Sequence, residues 1–429
     1  MQFKLTKKEK SWILYDVGNS AFVLMVSTIL PVYFNYLAQN AGVSDVDYLA
    51  YWGYAASIST LIVAVLGPVM GTLADTRGFK KPLFLSCILV GCAGCLLMGQ
   101  TTWWMLFLVI FIIAKVGFNS SLVFYDSMLS DVTAPERMDR VSSSGYAWGY
   151  AGSCIPFIVS LVFVLGYQKM GFSFETGMMI AFAVVAVWWL VMSLPLMKQY
   201  SQVHYVERKP HAMRESVGRI IETLRSVRKQ KKIFLFLIAF FFFIDGVYTI
   251  IDMATAYGSA LGLDSTGLLL ALLVTQFVAF PFSILFGRLA EKYDTGKLIL
   301  TCIAAYTGIT VFAVFMKAQW QFWVLAIFVG MFQGGIQALS RSYFAKIVPP
   351  ERSGEYFGLM DICGKGASFM GTTVVGLASQ AFGSINIGVS AIVFLFLAGA
   401  LFFVKTEHSG SESTKNQENV IMEQQMFHD

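Results

Sequence analysis

Charge is scarce in this sequence. Only 13% of the 429 residues are Asp, Glu, Lys or Arg, while 56% are apolar and the mean hydropathy is +0.65. A soluble domain carries about 25% charged residues. That shortage excludes a disordered chain and argues against an ordinary soluble enzyme. Histidine is scarcer still. His204, His211, His408 and His428 all sit in polar segments, so no apolar stretch offers an imidazole as proton relay or metal ligand. The six cysteines lie inside apolar runs without metal-ligand spacing, and Cys92-x-x-Cys95 falls within a greasy segment, where a thiol packs. No metal and no cofactor are expected. No cleavable leader is expected: Met1 to Lys10 is polar with four lysines, and the apolar run that follows has no cleavage pattern. Catalytic signatures are missing as well. There is no G-x-S-x-G or H-E-x-x-H. Gly364-Lys365-Gly366 stands one residue too far from Gly358 for a phosphate loop and lacks Ser or Thr after the lysine. An enzyme is not expected.

What the chain has is length in its apolar runs. A bilayer needs about 20 predominantly apolar residues per helix. Runs that long occur at 12–38, 49–73, 81–100, 103–127, 141–165, 176–197, 233–259, 265–288, 297–316, 320–343, 355–380 and 385–404. The expected fold is an all-α membrane protein with twelve transmembrane helices. Lys and Arg test that count, because they collect on the cytoplasmic side. With the N-terminus inside, 26 of the 31 fall on inside segments and two, Lys169 and Lys317, outside; Lys115, Arg341 and Lys365 lie within spans. Both termini are therefore expected to be cytoplasmic, in the cell membrane, with the lipid bilayer as the obligatory partner. Residues 198–232 hold ten Lys or Arg, and Val217, Ile220, Ile221, Leu224 and Val227 recur there at helical spacing. The segment reads as a basic amphipathic helix on the membrane face or as a solvated linker. A nucleic-acid partner is not expected.

The chain repeats. Gly71-Thr-Leu-Ala-Asp75 returns half a chain later as Gly287-Arg-Leu-Ala-Glu291. Pro135-Glu136-Arg137 returns as Pro350-Glu351-Arg352 at the same spacing to within one position. The expected domains are a six-helix half at 1–197, the basic linker 198–232, a second six-helix half at 233–404 and a polar tail at 405–429. Two equivalent halves suit alternating access, with a site near the bilayer midplane.

Gly71, Asp75, Gly78 and Lys80 resemble the loop signature of the major facilitator superfamily, with Thr76 and Phe79 at positions that are usually basic. In that superfamily the loop locks one end of the two halves together. The resemblance makes Asp75 and Glu291 the locking carboxylates; the plainer reading is a tight turn at Gly71 and Gly78. A narrower resemblance rests on Trp12-Ile-Leu-Tyr15-Asp16-Val-Gly-Asn19-Ser20, Gly145-Tyr146-Ala-Trp148-Gly149-Tyr150-Ala-Gly152 and Gly334-Gly335-Ile-Gln337-Ala-Leu-Ser340-Arg341-Ser342. These are similar to the unknown major facilitator family, bacterial relatives of the fungal vacuolar amino-acid effluxer. The resemblance implies a monomeric secondary transporter, with amino-acid export as the activity to test.

Ionisable groups inside spans are costly and mark function by default. Lys115 and Asn119 share a stripe with Asp126 in the fourth span. Asp245, Tyr248 and Asp252 share one in the seventh. In the resembled fold spans one, four, seven and ten ring the cavity, so Lys115 and Asp245 are expected to face each other, with a substrate or a proton competing for the pair. Asp16 and Asn19 in span one, and Gln333 and Gln337 in span ten, complete the expected cavity. Arg341 follows Asp126 at the spacing of the Pro-Glu-Arg repeat, which predicts a gate ion pair between the halves; the plainer reading is an arginine reaching lipid headgroups. Asp361 and Lys365 read as an i,i+4 pair that neutralises itself. The expected function is secondary transport of a small polar solute, with protons as a candidate coupling ion. A lipid translocase, marked by an apolar cavity, and a transporter-like sensor signalling through 198–232 are the alternatives.

Overall fold

The structure is a computed structural model that describes residues 4–207, 225 and 227–426. The helix anticipated over Val217 to Leu224 lies outside those residues. Twelve long helices account for nearly all the rest: α1 (Lys7–Asn40), α2 (Asp45–Ala74), α3 (Lys80–Met98), α4 (Trp104–Ser127), α5 (Met138–Gly166), α6 (Phe174–Gln199), α7 (Lys231–Ala260), α8 (Ser265–Leu289), α9 (Thr295–Val314), α10 (Gln319–Ile347), α11 (Ser353–Phe382) and α12 (Ile385–Met426). Eleven are long and apolar enough to cross a membrane. The other, α11, has 30 residues and packs among α2, α4, α7 and α12.

The ends of these helices follow local chemistry. Thr6 caps α1 in a reciprocal box with Glu9, and Ser44, Ser173, Asp264 and Asp294 accept the first free N–H groups of α2, α6, α8 and α9. The last helix continues through the expected polar tail to Met426, with the His408 ring bonded to Val404 O one turn back.

The packing order reveals the repeat. In the first half α1 packs on α5 and α6, α4 on α2 and α3, and α6 on α3 and α5. Adding six to each label gives the second half: α7 on α11 and α12, α10 on α8 and α9, and α12 on α9 and α11. The contacts between halves obey the same exchange, with α2 on α11 matched by α8 on α5, and α4 on α11 matched by α10 on α5. Aromatic layers fill each half, such as Phe34 between Trp52 and Phe107 in one and Phe236 among Tyr343, Phe344 and Phe403 in the other. No strand is present among the described residues; the one backbone bridge joins Thr76 to Val206.

Candidate functional site

The two halves are tied together at the end of the bundle where the basic loops lie. The turn after α2 carries Asp75, which is fully buried. Its Oδ1 accepts the N–H of Gly354 at 2.8 Å and its Oδ2 the N–H of Glu355 at 2.9 Å. These are first-turn amides of α11, which have no acceptor inside their own helix and sit at its positive end. A carboxylate from the first half thus caps a helix of the second. The approach needs glycine on both sides: a Cβ on Gly71 would lie 2.2 Å from Gly354 O, and one on Gly354 would lie 2.6 Å from Gly71 O. Gly78, at φ +79°, makes the turn that follows. Lys80 is buried beside Asp75, its Nζ 3.6 Å from Asp75 Oδ1, 3.2 Å from Ser353 Oγ and 3.9 Å from Asp131 Oδ2. Burial raises the Asp75 carboxyl from 3.8 to about 6, although Lys80 and the two amides favour its charge; Glu355 adds to the rise.

The repeat partner of Asp75 is built differently. Glu291 pairs with the Arg140 side chain, and the two side chains are 41% and 23% exposed. Between the two loops, buried Asp139 of α5 accepts Ser342 Oγ at 2.6 Å and Thr295 Oγ1 at 2.8 Å and pairs with Lys346.

Deeper in, Arg341 of α10 is buried at 4% exposure against the first half. Its Nη1 meets Asp126 Oδ1 at 3.1 Å and its Nη2 meets Asp16 Oδ2 at 3.3 Å and Ser142 O at 3.0 Å, while Nε donates to Ser142 Oγ at 2.9 Å. The guanidinium also stacks on Trp12 at 4.6 Å, Tyr146 at 4.4 Å and Tyr125 at 5.3 Å from the ring centres. Asn19 donates to Asp16 at 3.4 Å. A Cβ on Gly145 would come within 2.6 Å of Asp16 Oδ2, so the glycine there makes room for the cluster.

Above this cluster the expected facing of Lys115 and Asp245 is not made. Asp245 is fully buried and points at α11, where its Oδ1 takes the Gly371 N–H at 2.9 Å and the Thr249 hydroxyl at 3.3 Å. Its Oδ2 has no partner among the described residues. Lys115 feels instead the charge of Asp252, two turns further along α7 and itself exposed. Asp361 and Lys365 pair within α11, and Asp361 Oδ2 lies 3.7 Å from where a Cβ on Gly67 of α2 would be. Gln333 is buried beside Tyr150, Gln337 and Tyr248 are half-buried, and Asn119 is buried within the first half. At the opposite end, the bonds among the described residues stay inside one half: Tyr33 to Thr101, Asp264 to Gln319, and Tyr257 to Ala313 and Asn386.

Sequence reasoning missed Asp131, Asp139 and the Glu9 cluster. Glu9 is buried and takes Arg137 Nε at 2.7 Å, Nη2 at 2.8 Å and Thr133 Oγ1 at 2.7 Å, which ties the start of α1 to the loop before α5. One signal was available for Asp131. It precedes Lys346 by the same spacing that relates Asp126 to Arg341, with acid in the first half and base in the second in both cases.

Known proteins match nearly the whole chain. The family model described as "Vacuole effluxer Atg22 like" matches residues 5–135 and 130–414. The chain is 40% identical over 424 residues to an uncharacterized MFS-type transporter, YxiO, of Bacillus subtilis, covering 98% of this chain and 99% of that one. It is 23% identical to the autophagy-related protein 22 of Coccidioides immitis, over 82% of this chain and 71% of that one. Among solved structures, a bacterial homologue of the iron transporter ferroportin in an outward-facing state superposes with a TM-score of 0.70 at 14% identity, covering 94% of this chain and 98% of that one. At that identity the likeness is one of fold.

Proposed function

The chain belongs to the Atg22-like family of major facilitator transporters, and from that membership we propose that it moves a small zwitterionic solute, an amino acid in the first instance, by alternating access. It is a multi-pass membrane protein and not an enzyme. In this reading the halves 1–197 and 233–404 rock about the cavity, the linker 198–232 and the tail 405–429 are cytoplasmic, and the membrane is the cell membrane. The basic end is the cytoplasmic gate, formed by Gly71, Asp75, Gly78, Lys80, Asp126, Glu291 and Arg341. On the same reading that gate is closed and the cavity is accessible from outside.

The observation that carries the reading is Arg341. One guanidinium of the second half satisfies two carboxylates of the first, Asp16 and Asp126, and buries itself on three rings in doing so. Nothing in such a cluster holds a helix bundle together that a Leu could not hold at lower desolvation cost. Its use is to be broken and remade. Lys115 and Asp252, one cation and one acid from opposite halves, supply the complement to a zwitterion's carboxylate and ammonium groups. Asn119, Tyr248, Gln333 and Gln337 supply neutral polar lining. Asp245 is the seat of the coupling proton: a carboxyl buried without a cation is neutralised most readily by a proton, and Asp245 Oδ2 is free to carry one.

A panel of amino acids screened by thermal shift, followed by transport in vesicles with and without a pH gradient, tests this. Zwitterions should stabilise the protein and move across the membrane. Lys115→Ala should lose transport at unchanged abundance. Asp245→Asn should keep solute exchange and lose accumulation driven by the pH gradient. Unimpaired transport in both variants rules out the assigned site, and stabilisation by amphiphiles alone favours a lipid translocase.

A further inference from the structure

The chain leaving α6 does not run free toward the second half. Tyr200 donates its hydroxyl to Asp131 Oδ2 at 2.5 Å, and burial beside that carboxylate holds the phenol well above its ordinary range, so it keeps its proton. Asp131 Oδ1 accepts the N–H groups of Val203 at 3.1 Å and His204 at 2.8 Å and lies 3.0 Å from His204 Nδ1. Gln202 spans the turn after α2: its Nε2 donates to Ala74 O at 3.0 Å, and its Oε1 accepts the Gly78 N–H at 3.0 Å. Val206 then pairs with the same turn as a short strand would, donating to Asp75 O at 2.7 Å and accepting the Arg77 N–H at 3.1 Å. Arg77 lies over the Tyr205 ring at 5.0 Å.

The turn 74–78 is therefore gripped from two sides. The Asp75 carbonyl is held by Val206, while its carboxylate caps α11 of the other half. At the far end of the linker, Gln230 donates to the Tyr356 hydroxyl on α11 at 3.0 Å, and Val227 is buried. One linker thus touches both parts of the same latch.

We propose that residues 200–206 are positioning residues of the gate: a docked strap that holds the turn 74–78 in the geometry in which Asp75 caps α11. Tyr200, Gln202 and Val206 act through Asp131 and the turn, and none of them lines the cavity. Undocking the strap loosens the closed basic end without touching the solute site. The role of the gate rests on the transporter reading above, but the coupling between strap and latch is measurable without transport.

Hydrogen exchange on the full-length protein in lipid nanodiscs reads the latch directly, because the Gly354 and Glu355 amides are protected by Asp75 and not by their own helix. Val206→Pro removes the N–H that holds Asp75 O; Val206→Ala keeps it. Exchange over 353–357 should rise by up to about tenfold in Val206→Pro, the upper worth of one backbone hydrogen bond, and stay at the wild-type rate in Val206→Ala. Exchange in α3 and α9 should not change. Unaltered exchange over 353–357 while 200–207 is deprotected overturns the proposal. So does a uniform rise across both halves, which would mean a merely structural role. If Val206→Pro fails to give a monodisperse protein, Tyr200→Phe combined with Gln202→Ala faces the same two outcomes. A solute panel that finds no substrate would count against the transport reading and leave the exchange result standing.

Discussion

Asp75 and Glu291 occupy the same turn of a duplicated half and close the same end of the molecule by different means. Asp75 is buried and bonds backbone amides at a helix N-terminus. Glu291 is exposed and bonds the tip of a long, partly exposed arginine. An amide in the first turn of a helix is fixed before its partner arrives, so capping it orders one short side chain. An exposed ion pair orders two long ones and contributes about 0–1 kcal/mol. Two loops that look alike in sequence therefore carry unequal shares of closure. The difference arises in what each loop meets: Gly354 and Glu355 on α11, but Asp139 and Arg140 at the equivalent positions on α5.

The largest test of this inequality is Asp75→Ala. It strips two buried amides of their acceptor and leaves Lys80 with Ser353 and the more distant Asp131, at a cost to the closed end of about 3–5 kcal/mol. Exchange of the Gly354 and Glu355 amides should approach that of open peptide. An effect equal to that of Glu291→Ala on the first turn of α5 would break the comparison. Arg341→Lys comes next. It keeps the charge but loses the forked contact to Asp16, Asp126 and Ser142, for about 1–3 kcal/mol, seen as a lower melting temperature and faster labelling of the cavity from the basic side.

A pH dependence sharpens the comparison further. The Asp75 carboxyl is raised from 3.8 to about 6 when the end is closed and is hydrated when it opens. The closed state then binds a proton more readily than the open one. Closure is penalised above about 6, and the penalty is relieved as the pH falls through 6 toward 3.8. Lowering the pH on the basic side should slow exchange over 353–357 beyond the intrinsic pH effect, and Asp75→Asn should abolish that excess. The smallest effect belongs to Glu291→Gln, which should slow or speed closure by no more than a few-fold, within about 1 kcal/mol.

Much of the fold was legible because its signals are periodic or repeated. Apolar run length gave the helices, and the half-chain spacing of the repeat placed Arg341 opposite Asp126. What escaped was the direction of side chains within a span. Asp245 and Asp252 are two helical turns apart, so helical period puts them on one face. In the structure Asp245 is fully buried and bonds the Gly371 N–H of α11, while Asp252 is exposed. What each position meets on the neighbouring helices decides this, and no local pattern records it. The docking of residues 200–206 escaped for a related reason. Tyr200, Gln202 and His204 carry no periodic signal, and they matter because of what the chain folds back onto.

The touching backbones of Gly71 and Gly354 have one more consequence. At that seam the clearance between the two halves is less than the width of a methyl group. A gate that shuts with no clearance tolerates no wedge, so on the transporter reading a single alanine at either position should act as a doorstop that props the basic end ajar. Leaky variants in a random library should then concentrate on this pair of positions, of which Gly354 carries no motif to mark it.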